Sequence, residues 1–92
     1  MTLAAFGLDR SNRAPLHRQI YDGIREAILA GRLRPGARLP SSRTLAGELG
    51  SSRNTALAAF EQLVAEGYLE ARSGSGTFVV RTLPETLLRA RP

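Results

Sequence analysis

The sequence predicts a mainly α-helical domain with a small β-hairpin, three helices followed by two strands. Three observations carry that prediction. Apolar residues recur at helical spacing in three separate segments. A lone glycine, Gly50, separates the second segment from the third, and beyond Gly67 the spacing changes from helical to alternating. At 92 residues the chain makes one small domain with a modest core.

The residues from Met1 to Ala14 mix small and polar types and are expected to form a lead-in arm (1–14). Pro15 suits the first helical position, where its missing N–H costs nothing. Leu16, Ile20, Ile24, Ala27 and Ile28 then share one face of a first helix, and Gly31 stands where its C-cap belongs. Arg18 and Asp22 are one turn apart on this helix, with Asp22 and Arg25 nearly so, which marks a solvated face. Pro35-Gly36 signals a tight turn, and Arg38-Leu39 fits a very short strand. A second helix is expected over 42–49, burying Leu45, Ala46 and Leu49, and Gly50 supplies the positive φ of a sharp interhelical turn. The third helix, 52–66, turns Ala56, Ala59, Phe60 and Leu63 inward and Arg53, Asn54, Leu57, Ala58 and Glu61 outward.

Tyr68 to Arg72 and Thr77 to Val80 alternate and are rich in β-formers, with Ser73-Gly74-Ser75-Gly76 between them as a hairpin tip. The order helix, short strand, helix, helix, hairpin is that of a winged helix-turn-helix, here assigned to 15–80 with the wing at 72–77. Residues 81–92 carry three arginines and two prolines and are expected to form the first turn of an appended helix or to open a linker to an effector domain that this chain does not contain.

The net charge is +5 and the isoelectric point about 11.3. All 13 basic residues are arginine, the better side chain for bidentate contacts to phosphate or guanine. With no cysteine there is neither a disulfide framework nor a thiolate metal site, and His17, the single histidine, has no ligand-type neighbours in sequence. No apolar run is long enough for a membrane span and no signal pattern opens the chain, so a cytoplasmic protein without membrane contact is expected. No nucleophile–base pair, metal cluster or cofactor loop in a competent context is present, and an enzyme is not expected. Gly74-Ser75-Gly76 is followed by a strand rather than a helix and is therefore not a phosphate-cradling loop of the nucleotide-binding kind.

The strongest functional signal is a repeated helix start. Ser41-Ser42-Arg43 opens the second helix and Ser51-Ser52-Arg53 the third. A helix N-terminus presents unpaired N–H groups and partial positive charge, which suit an anion, and an arginine there adds a planar fork for phosphate or a guanine edge. Two such ends one hinge apart predict a DNA-binding helix-turn-helix. Arg43 is expected to anchor phosphate, Arg53 to touch a base edge or phosphate, Asn54 either to meet an adenine edge or to bond the backbone locally, and Thr55 to face the bases. Ser52 reads as an N-cap that can also meet phosphate. Arg72 and Gly74 belong to the wing, Arg72 either as a DNA-facing cation or as a solvated strand end. Leu57, outward by periodicity, fits a thymine methyl group or a neighbouring domain.

PLHRQIYDGIREAILAGRL from Pro15, PGARLPSSRTLA from Pro35, GSSRNT from Gly50 and EGYLEARSGSGTFV from Glu66 together resemble the N-terminal domain of GntR-type bacterial transcription regulators, in particular the MocR subgroup with its PdxR-like members. The resemblance implies a third helix in the major groove and a wing at the minor groove or backbone. It assigns DNA contacts to Arg43, Ser52, Arg53, Asn54, Thr55 and Gly74. It also implies, for full-length relatives, an aminotransferase-like domain holding pyridoxal phosphate on a lysine; this chain has no lysine, and no cofactor is expected in it. Two positions depart from the pattern: many such domains have an arginine in place of Leu57 and an apolar residue in place of Ser51. A relative's base code therefore does not transfer at Leu57. The expected partner is a double-stranded operator with repeated half-sites, bound by two copies of the domain. The alternative is a winged-helix protein-interaction module, favoured by Leu57, by the outward alanines of the third helix and by the small total charge.

Overall fold

The computed structural model describes residues 15–81. The expected arm, 1–14, and all of the expected linker except Arg81 lie outside the described residues. Helix α1 spans Leu16–Leu29, α2 Ser42–Leu49 and α3 Arg53–Ala65; strand β1 is Arg38–Leu39, β2 Leu69–Arg72 and β3 Gly76–Val79. The strands form one antiparallel sheet in the order β1-β3-β2. A winged helix-turn-helix results, as the sequence predicts.

Each helix follows from its spacing. Ile20, Tyr21, Ile24, Ala27 and Ile28 of α1 are buried, and all of these but Ala27 share one core cluster with Leu45 and Ala46 of α2 and Ala56, Ala59, Phe60 and Leu63 of α3. Leu39, Tyr68, Leu69 and Val79 close the core from the sheet side. Leu16 and Leu49, expected inside, are only half-buried. Both sit at an end of their helix, where fewer neighbours surround a side chain.

Small differences at element ends have local causes. Pro15 is the N-cap of α1 rather than its first helical residue: its ψ is 149°, and its carbonyl accepts from the N–H groups of Arg18 and Gln19. An imide nitrogen needs no partner in either position, so proline suits both. Ser52 and Glu66 are the caps of α3 and lie just outside it. Tyr68 precedes β2, and β3 starts one residue early, at Gly76, because Gly76 pairs with Arg72 across the hairpin.

The hinge between α2 and α3 rests on Gly50, whose φ of 67° is left-handed. Its N–H and that of Ser51 both turn back to the carbonyl of Ala46, so the helix end is satisfied while the chain reverses.

Opposite faces of the sheet divide the labour. Leu39, Thr77, Ala71, Leu69 and Val79 lie on the core side; Arg38, Phe78, Glu70 and Arg72 lie on the other, as period-two alternation and the register require. Two polar contacts lock α1 to the far end of α3. The Tyr21 hydroxyl donates to the Glu66 carboxylate, and Arg25 Nε donates to the Tyr68 hydroxyl at 2.9 Å. Arg25 was expected to pair with Asp22 on a solvated face; it is half-buried and directed to Tyr68 instead, while Arg18 keeps Asp22 at 3.4 Å. Desolvation by burial, then the bond to Glu66, pushes the Tyr21 phenol up to about 12. The same bond, followed by one from Gln62, holds Glu66 below the ordinary carboxylate range.

Candidate nucleic-acid interface

Both helix starts expected to bind an anion are built by the same chemistry. Ser41 is the N-cap of α2, in extended backbone, and its Oγ accepts from the Thr44 N–H at 3.1 Å. Ser52 is the N-cap of α3, and its Oγ accepts from the Thr55 N–H at 3.1 Å. In each case the serine Oγ also bonds the threonine Oγ1, at 3.0 Å in α2 and 2.8 Å in α3. The serines are thus satisfied locally, and each leaves the remaining first-turn N–H groups directed outward.

The arginines are offset by one position. With Ser41 as cap, Arg43 is the second residue of α2; with Ser52 as cap, Arg53 is the first residue of α3. One residue is about 100° of rotation around a helix, so the two guanidinium groups leave their helix starts in different directions. Arg43, Arg53 and Asn54 are all exposed, Ser42 and Thr55 half-buried. Among the described residues, neither Arg43 nor Arg53 makes an ion pair or a side-chain hydrogen bond. Two charged forks without an internal partner are available for an external anion.

Arg72 differs. Its Nε donates to Glu70 Oε1 at 2.8 Å, its Nη2 meets the same carboxylate oxygen, and its guanidinium lies 4.5 Å from the centroid of the Phe78 ring. Its charge is therefore partly answered within the wing. Gly74, at the hairpin tip, has a φ of 77° and open space around it. The wing turn is closed by the Ser75 N–H donating to the Arg72 carbonyl at 2.9 Å.

Arg38 was not singled out by its sequence context. It is exposed on β1, and its Nε sits 3.0 Å from where a Cβ on Gly76 would stand. A Cβ there would press on the movable end of the Arg38 side chain, and Gly76 has a φ of 118°, which residues with side chains rarely adopt. The signal was non-local: only the pairing of Arg38 with Phe78 brings β1 beside the wing. Val64 was also missed; it is exposed to the same extent as Leu57, 38%. Both line a groove of about 470 Å³ between α3, the start of α2 and the sheet, with Phe60, Ala65, Ala71 and Thr77. Arg38, Ser41, Ser42 and the carboxylate-bearing Glu61 also border this groove. Among the described residues, no cluster of His, Cys, Asp and Glu side chains could hold a metal ion, and no helix is long and apolar enough to cross a membrane.

Three helices, a glycine hinge and a three-stranded wing define a winged helix-turn-helix domain with two arginine-bearing helix starts. The chain belongs to the gntR family of bacterial regulatory proteins, whose sequence pattern it matches over residues 16–79. It is 52% identical over 84 residues to the probable rhizopine catabolism regulatory protein MocR of Rhizobium meliloti, a match covering 91% of this chain and 17% of that protein. The chain spans less than a fifth of the first curated relatives it matches, with shares of 17%, 18% and 19%. Its fold is similar to that of YtrA from Sulfolobus acidocaldarius, a GntR-family transcription factor, with a TM-score of 0.80 at 34% identity over 91% of this chain and 88% of that one. The AraR DNA-binding domain, solved in complex with the operator ORE1, is similar with a TM-score of 0.70 at 31% identity, covering 80% of this chain and 90% of that one.

Proposed function

We propose that this chain is the DNA-binding part of a transcription regulator and binds double-stranded DNA in a sequence-specific way. The observation that carries the reading is the pair of capped helix starts with free arginines, Arg43 and Arg53, set around the Gly50 hinge. α3 lies in the major groove; Arg53, Asn54 and Thr55 face base edges, and Arg43 with the first turn of α2 grips phosphate. The wing, 72–77, meets the backbone or minor groove, with Gly74 at its tip and Arg38 as a further cation beside it. Similarity to a domain solved on its operator supports the same partner here.

Two copies on repeated half-sites are the expected arrangement, as each copy offers a single reading helix. The setting is the cytoplasm, and the chemistry is binding, with no catalytic role assigned. In the MocR-like whole protein, the remaining length would hold the effector domain. Pyridoxal phosphate, implied for such a domain, does not fit these 92 residues, because they include no lysine to take its aldehyde.

Titration of fluorescent mixed-sequence duplexes tests the reading. Affinity should fall linearly on a logarithmic salt scale, with a slope reflecting several phosphate contacts. No binding to any duplex at low salt would overturn it in favour of a protein-docking module.

A further inference from the structure

Leu57 is a large apolar residue on the outward face of α3 that polar recognition of DNA leaves unused. It is 38% exposed and stands four residues after Arg53, on the face that also carries Asn54. One helical turn, about 6 Å along the axis, separates it from Arg53. Its neighbour Ala58 is small and exposed, so the backbone of α3 can approach another surface closely there. Val64, the other exposed large apolar residue among the described residues, lies seven residues beyond Leu57, about 10 Å further along the axis. Between them stands the exposed carboxylate of Glu61, which polyanionic DNA would repel. The stretch of α3 suited to a groove in DNA therefore runs from Arg53 to about Ala58, and Leu57 is inside it.

A leucine gains nothing from the hydrogen-bonding edges of bases. The major groove offers one apolar group, the C5-methyl of thymine. We propose that Leu57 packs on a thymine methyl group and sets a thymine preference within about two base pairs of the base or phosphate held by Arg53, since one helical turn of 6 Å spans about two base steps of 3.4 Å. Continuity with Arg53 and Asn54, exposed on the same outward side of α3, selects DNA over a protein segment as what Leu57 meets. The inference rests on the DNA-binding reading and sharpens it at one residue.

The test begins with duplexes selected from a randomised pool by the full chain. Each thymine of the selected site is then replaced by deoxyuridine, which removes only the methyl group, and binding is followed by anisotropy at fixed salt. One replacement should weaken the unaltered chain about three- to ten-fold, the scale of one buried methyl group. Leu57→Ala should bind the thymine and uracil duplexes equally at that position, and Leu57→Met should keep part of the discrimination. Leu57 is exposed, so the variants should melt like the parent. Indifference of the parent to every uracil replacement overturns the assignment, as does discrimination that survives in Leu57→Ala. If selection returns no preferred duplex, the DNA-binding reading falls and takes the inference with it; if a preferred duplex is bound regardless of uracil, only the methyl contact falls.

Discussion

The start of α2 and the start of α3 share a Ser-Ser-Arg sequence and the same serine-to-threonine capping bond, yet they present their arginines differently. In α2 the first serine of the pair, Ser41, is the cap; in α3 it is the second, Ser52. The reason lies upstream. α2 is entered from Pro40 after a strand, whereas α3 is entered from the Gly50 turn, where Ser51 spends its N–H on Ala46 and its hydroxyl on the Ser52 carbonyl. Ser51 thus belongs to the turn and cannot cap. A repeated motif in sequence becomes two distinct helix starts in space, with Arg43 second in its helix and Arg53 first in its own.

The largest expected effect separates the two helix starts. Arg53→Ala should cost about 1–3 kcal/mol of binding to a preferred site and relax the preference at one base position. Arg43→Ala should weaken preferred and unrelated duplexes alike and lower the salt slope by about 1. Competition titrations of both variants over a salt series check this. Two variants with the same profile would break the division of roles, and exchanged profiles would reverse it.

The helix spans and the core were readable because burial imposes its period on the sequence; Ala56, Ala59, Phe60 and Leu63 could face only one way. The two-residue strand at Arg38-Leu39 was readable as a very short extended piece after the Pro35-Gly36 turn. The cap of α3 was readable too, since Ser52 stands just before the helical spacing begins, while the reason Ser51 does not take that place lies in the turn hydrogen bonds to Ala46 and Ser52. Contacts across long sequence separations were hidden. Tyr21 meets Glu66 at a separation of 45 residues and Arg25 meets Tyr68 at 43, with no local pattern to announce either. In the candidate interface the same limit explains Arg38, whose place beside Gly76 depends on sheet order. It also explains Arg72, whose engagement by Glu70 follows from period-two spacing but whose stacking on Phe78 needs the β2–β3 register.

A smaller effect sharpens the comparison at the serines. Ser41→Ala and Ser52→Ala should each cost about 1 kcal/mol of stability, the usual cost of losing a side-chain N-cap. Urea unfolding measures this directly. Binding should then distinguish them, because fraying at α3 displaces Arg53 and Asn54, while fraying at α2 displaces a single phosphate anchor. Ser52→Ala should therefore lose preference for its site as well as affinity, and Ser41→Ala only affinity. Equal loss of preference would show that both helix starts read sequence.

The smallest effect concerns the opposite end of α3, which is held by charge rather than by a neutral cap. Glu66 has its carboxyl lowered in the folded state, so its contribution to stability is present above the ordinary carboxylate range and lost as pH falls through the lowered value. Tyr21 is raised from 10.0 to about 12, so its contribution is present below 10.0 and lost as pH climbs toward 12. Stability should form a plateau near neutral pH and decline on both sides. The acid-side change is modest, because Glu66 is exposed and water and salt screen it. Glu66→Gln keeps an acceptor for the Tyr21 hydroxyl without the charge and should flatten the acid side; Tyr21→Phe should flatten the alkaline side as well. Urea midpoints across the pH range check this, and limbs that stay parallel to the parent's in both variants would show that another group governs them. The serine caps carry no titrating group, so amide exchange at the starts of α2 and α3, corrected for intrinsic rates, should stay protected at mildly acidic pH while the Glu66 end opens first.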